Sequence, residues 1–212
     1  RKAWDAAEHA TSRSRFTAVR GDLATRLAAL YSNGGADGGL LGETYAELRR
    51  VLGYQTEEFL TRTSGPISWF NTAGVTADAP LAVVEARPAA AVEDVFAKAD
   101  EGPLRLREPW QVDDKTVETS VTRAVSRLFN SEEHPEFVLV LAGRWALVSE
   151  QGRWAEGRYL AVDLQTVCDR NDTRRDGEID RALTILDAES LAPDADGQVW
   201  WKSVLEASVK HT

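Results

Sequence analysis

With 212 residues, 43% of them hydrophobic, the chain is long and apolar enough to bury a sizeable core, which excludes a disordered polypeptide. A formal charge of −9 and an isoelectric point near 4.9 exclude a surface wholly committed to nucleic acid, which needs clustered Lys and Arg, but leave room for a local basic patch. One cysteine, Cys168, rules out an intramolecular disulfide and a four-ligand thiolate zinc site. With no run of about 18 apolar residues and no signal-peptide core, the expectation is a soluble, cytoplasmic protein without a membrane partner.

In chain order, Phe16, Val19, Leu23, Leu27 and Leu30 recur at three- and four-residue steps and predict an amphipathic helix from Trp4 to about Tyr31. Arg13, Arg15, Arg20 and Arg26 share it, as a solvated basic face or one that meets DNA phosphates. The glycine-rich stretch from Ser32 to Gly39 predicts a flexible loop. A second helix is expected from Gly42 to Leu52, with Tyr45, Leu48 and Leu52 inward, Glu43 in its first turn and Gly53 ending it.

Gly65 to Asn71 and Ala79 to Glu85 read as neighbouring strands, and Ala90 to Ala99 as a short helix or surface excursion. After a turn-rich stretch, Asp113 or Asp114 is placed to cap a helix carrying Val117, Val121, Ala124, Val125, Leu128 and Phe129. Glu136–Leu141 and Arg144–Ser149 form a hairpin joined by Ala142-Gly143, and Gly157–Leu164 adds a strand whose Asp163 starts the helix Leu164–Arg170. Two helices finish the chain. Gly177 to about Ala188 turns Ile179, Ala182, Leu183 and Leu186 inward, and Gln198 to Val209 turns Trp200, Trp201, Val204 and Leu205 inward. This order predicts a layered α/β (or α+β) fold, a central mixed sheet flanked by helices with a helical C-terminal extension. The expected organisation is an N-terminal helix and loop (1–40), an α/β domain (41–170) and a helical lead-in to a following domain (171–212). The chain lacks methionine, opens on Arg1 and closes at Ser208-Val209-Lys210-His211-Thr212 inside a helical pattern, so it is expected to belong to a longer protein.

Most chemical motifs are missing. His9, His134 and His211 stand at no ligand spacing, and neither a Walker-type phosphate loop nor Gly-x-Gly-x-x-Gly occurs. Asp194-Ala195-Asp196-Gly197 has no glutamate at the twelfth position of a calcium loop and reads as a turn before the last helix. Asp169, Asp172, Asp176 and Glu178 alternate with Arg170, Arg174 and Arg175, as in a solvated loop of local ion pairs. Trp145, Trp154, Trp200 and Trp201 read as core residues, with base stacking or the holding of a partner as the alternatives. The stretch that carries chemistry is Ala79–Pro88, an apolar strand ending in Glu85-Ala86-Arg87.

The segment Phe137–Glu150 with Arg153-Trp154 and Gly157–Leu164 resembles a hairpin found in the amino-terminal regions of type IIG restriction-modification enzymes and related phage-defence DNA adenine methyltransferases. Asn171-Asp172, Gly177–Leu183, Glu189–Pro193 and Ser208–Thr212 look like the lead-in to their methyltransferase part. The resemblance implies a restriction-endonuclease-like, PD-(D/E)xK-type domain, followed in the parent protein by one that methylates adenine N6 with S-adenosylmethionine. It also implies DNA as a partner through that parent, and protein partners from a defence system. Such a nuclease holds Mg²⁺ between carboxylates while a lysine orients water. Carried over, Glu85 takes the place of the strand carboxylate, Glu43 that of the helix acid, Asp78 is the candidate middle acid, and the metal would sit on Glu85 and Asp78. Arg87 replaces the lysine, and guanidinium is not its equivalent. The expectation is a catalytically silent nuclease-like domain; the alternatives are an active Mg²⁺-dependent endonuclease and a protein-interaction module. The chain has no Asn-Pro-Pro-Tyr-type motif and no glycine-rich S-adenosylmethionine loop, so it needs no cofactor of its own under the silent reading.

Overall fold

A six-stranded mixed sheet with helices packed on both faces organises the chain, as the pattern of apolar residues predicts. The computed structural model describes residues 11–55, 59–72, 81–96, 105–194 and 196–209. Helices α1 (Ser12–Ser32) and α2 (Gly38–Val51) precede β1 (Phe59–Ser64), β2 (Ile67–Thr72) and β3 (Leu81–Glu85). The single turn α3 (Val92–Val95), the short strands β4 (Trp110–Gln111) and β5 (Val117–Glu118) and helix α4 (Val121–Phe129) come next. The hairpin β6 (Phe137–Ala142) and β7 (Trp145–Glu150) leads to α5 (Gln151–Trp154), β8 (Leu160–Asp163) and α6 (Leu164–Arg170). Helices α7 (Glu178–Leu186), α8 (Ala188–Leu191) and α9 (Trp200–Val209) follow.

Strand order is β1-β2-β3-β6-β7-β8, with β3 and β6 parallel and every other pairing antiparallel. A parallel pair needs a crossover, and α3 and α4 lie within it. Strands covered on both faces read as unbroken apolar runs, and β3 and β6 are buried along their whole lengths. Leu81 and Val83 join Phe16, Leu23, Leu27 and Ile179 in the core under α1, α2, α6 and α7. Ala82 and Val84 face the other way, onto Val121, Val125 and Leu128 of α4, as the two-residue period of a strand requires. No helix of the described residues is long and apolar enough to cross a membrane.

Helix α1 buries its predicted stripe, and Thr11 caps it by accepting from the Ser14 amide at 3.2 Å; the part expected from Trp4 to Ala10 lies outside the described residues. Its arginines do not form a freely solvated face but are tied into the fold. Arg15 Nε donates to the Val51 carbonyl at 3.0 Å and Arg20 Nη1 to that of Cys168 at 2.6 Å, in the last turns of α2 and α6, where a cation meets orphan carbonyls. Arg13 pairs with buried Asp180 at 3.0 Å.

Elsewhere the boundaries shift for local reasons. The glycine-rich loop ends early, because Asp37 accepts from the Leu40 amide at 3.0 Å and starts α2 at Gly38 rather than Gly42. Strand β1 is absent from the sequence reading: it lies at the sheet edge, its side chains mostly exposed, so burial imposes no apolar alternation on it. Asp113 does not begin α4. Its carboxylate accepts from the amides of Lys115 and Thr116, both at 2.9 Å, closing a turn between β4 and β5, and Ser120 caps the helix instead. The β6–β7 link is Gly143-Arg144, one residue later than expected, with Gly143 at φ +68°. In α9, Trp200 and Val204 are exposed rather than inward, while Trp201 packs against the core. Asp163 does start α6, accepting from the Thr166 amide at 3.1 Å.

Candidate functional site

The site is built at the carboxyl end of β3. There the chain leaves the core as Glu85-Ala86-Arg87, and a second segment, Arg105-Leu106-Arg107, runs antiparallel beside it. The Arg107 amide donates to the Glu85 carbonyl at 2.8 Å and the Arg87 amide to the Arg105 carbonyl at 2.7 Å, with Ala86 opposite Leu106. Ala86 and Leu106 are buried in the α4-side core, so alternation places Glu85, Arg87, Arg105 and Arg107 together on the opposite face, under α2.

Helix α2 presents Gly42, Tyr45 and Arg49 to this face at helical spacing. A Cβ at Gly42 would lie 3.6 Å from Arg107 Nη1, so the helix runs close over that guanidinium. The Tyr45 hydroxyl donates to the Ala86 carbonyl at 2.6 Å and accepts from the Gly143 amide at 2.6 Å, fixing the end of β3 against the β6–β7 hairpin. Burial drives its pKa well above the usual phenol value, so it stays a neutral hydroxyl.

Glu85 is the central charge. Its carboxylate, only 4% exposed, is held by Arg49 on Oε1 and by Arg107 Nη1 on Oε2 at 2.7 Å. Burial, then the nearby Arg107 charge, lowers the Arg49 pKa, but a guanidinium starts from so high a value that it remains charged. Arg107 also donates through Nη2 to Glu108 at 2.7 Å. A buried carboxylate is costly alone, and here each oxygen has a cationic partner.

These residues do not fit a magnesium ion. Mg²⁺ requires oxygen ligands in near-octahedral order, whereas two guanidinium groups already occupy Glu85 and would repel a divalent cation. Among the described residues no group of three or more His, Cys, Asp or Glu is placed to hold a metal. Glu43 stands on the outer side of α2, 72% exposed, with its carboxylate 3.3 Å from Arg26. Asp78 lies outside the described residues, as do His9 and His211. The structure thus joins Glu85 and Arg87 on one face and turns Glu43 outward.

Arg49, Arg105, Arg107 and the bridging role of Tyr45 are absent from the sequence reading. One local signal pointed to Arg49: it follows Leu48 and lies four residues after Tyr45, on the face already assigned inward, where a cation needs a partner. Arg105-Leu106-Arg107 carries the two-residue alternation of a strand, but it is too short to mark its mate, Glu85-Ala86-Arg87, which does not adjoin it in sequence.

Two other concavities carry less chemistry. A depression of about 620 Å³ is floored by Trp69 and Trp110, but Arg62 already lies over the Trp69 ring at 4.6 Å. A cleft of about 610 Å³ beside α7 holds Arg170, Arg174, Arg175 and Arg181, and the expected local pairing is present, Arg174 with Asp172 at 2.8 Å and Arg170 with Glu178 at 3.0 Å. Asp194 closes the predicted turn, accepting from the Asp196 and Gln198 amides at 2.9 Å. Compared with known proteins, the chain matches no family model, no curated protein and no solved structure.

Proposed function

We propose that the chain is a catalytically silent, restriction-endonuclease-like domain of a DNA adenine N6-methyltransferase from a restriction-modification or phage-defence system, and that it contributes contact with DNA. The observation that carries this reading is Glu85, at the end of a buried apolar strand of a mixed sheet and held between Arg49 and Arg107. In a nuclease of this type that position would offer a carboxylate to Mg²⁺; here the compensating charge comes from the protein. Cleavage is removed while the strand and its packing are kept. Methyl transfer, with S-adenosylmethionine as donor, belongs under this reading to another part of the parent protein.

Incubating the chain with supercoiled plasmid and Mg²⁺ or Mn²⁺ tests the silent assignment. The expected result is no nicking above a protein-free control. Metal-dependent cleavage that disappears in Glu85→Ala would overturn it and establish the endonuclease reading.

A further inference from the structure

The pairing of Arg87 with Arg105 demands an explanation. They are directly opposite across the short antiparallel bridge, where like charges destabilise a sheet, and among the described residues neither has an acidic partner. Next to them stand Arg107 and Arg49. This face therefore gathers four guanidinium groups against two carboxylates, buried Glu85 and half-exposed Glu108, in a chain whose net charge is −9.

The cations are graded in depth. Arg49 is 17% and Arg107 27% exposed, both anchored on Glu85, while Arg87 is exposed at the rim and Arg105 half-buried. Each guanidinium has five N–H donors, so one carboxylate partner leaves others to offer. Two anchored and two outer guanidinium groups on one side of a strand pair suit a tetrahedral oxyanion, which Arg binds in bidentate fashion.

We infer that Arg49, Arg87, Arg105 and Arg107 form a phosphate-binding site that takes a backbone phosphate of a DNA strand without metal. This rests on the DNA-contact reading above and names the surface responsible. The phosphate relieves the repulsion between Arg87 and Arg105, and Glu85 acts as a positioning residue that holds Arg49 and Arg107. The acidic balance of the rest of the chain repels DNA and confines contact to this face.

The test is fluorescence anisotropy of the full chain with a short labelled duplex over a salt series, in the absence of divalent metal. The Arg87→Ala/Arg105→Ala variant is expected to bind about tenfold more weakly at low salt, with a log K against log salt slope shallower by about one to two units. Arg87→Lys/Arg105→Lys should keep most of the slope, because it keeps the charge, and Arg158→Ala, away from the site, should bind as the parent does. The unfolding midpoint of the double alanine variant should be equal or higher, since a like-charge pair is removed.

Unchanged duplex binding in that variant would overturn the site while leaving DNA contact to another surface. If the parent chain binds neither duplex nor inorganic phosphate, both the site and the DNA-contact reading fall. Thermal stabilisation by inorganic phosphate that is lost in the double variant, without duplex binding, would make the site one for free phosphate and overturn the DNA assignment.

Discussion

The phenolic oxygen of Tyr45 accepts a hydrogen bond from the Gly143 amide at 2.6 Å, joining helix α2 to the β6–β7 hairpin across 98 residues of sequence. The same hydroxyl donates to Ala86, so one buried side chain connects three parts of the fold beside Glu85.

Tyr45→Phe removes both bonds and leaves a buried amide and a buried carbonyl without that partner. The expected loss is about 2 kcal/mol in urea unfolding, the desolvation cost of groups left unsatisfied. A variant within about 0.5 kcal/mol of the parent, a surface-like effect, would show that the hydroxyl does not hold this junction.

Removing one member of the Glu85 cluster should cost more than removing the charge and its counterpart together. Arg49→Leu leaves Glu85 with Arg107 alone, and a loss of about 3 kcal/mol is expected, since breaking a buried pair strands a charge. Arg49→Leu/Glu85→Leu should recover part of that loss. A double variant as unstable as the sum of the single ones would mean that the pair is not coupled.

Asp163 sets a pH dependence. Burial raises its pKa, but hydrogen bonds from Arg144 and from the Thr166 amide and hydroxyl outweigh burial and leave it below 3.8. The unfolded chain therefore binds the proton more readily than the folded one. The contribution is complete above about pH 4 and is lost as pH falls through the lower folded value. Urea midpoints measured from pH 6 downward should fall less steeply for Asp163→Asn than for the parent; parallel curves would exclude Asp163 from the acid response.

The layers of the fold were legible because burial writes itself into sequence. The apolar runs of β3 and β6 and the stripe Phe16, Leu23, Leu27, Leu30 follow from what each element covers. Strand β1 was not legible, since an edge strand with exposed side chains leaves no such trace. The site was half legible. Glu85 and Arg87 are neighbours in sequence and were found; Arg49 and Arg107 meet them only through a helix crossing and a bridge between distant segments. Charge pairing of that kind has no periodicity. Arg20 makes the same point, because the Cys168 carbonyl it caps belongs to α6, far along the chain.

The one parallel contact among the described strands, β3 against β6, divides the sheet into two antiparallel halves, β1-β2-β3 and β6-β7-β8. Pairing within either half joins strands that are close in sequence, whereas the seam between them needs the whole crossover from Glu85 to Phe137 to close. The arginine face sits at one end of that seam. Its outer arginines come from the crossover folding back onto the end of β3, so the face depends on a non-local closure rather than on any single element.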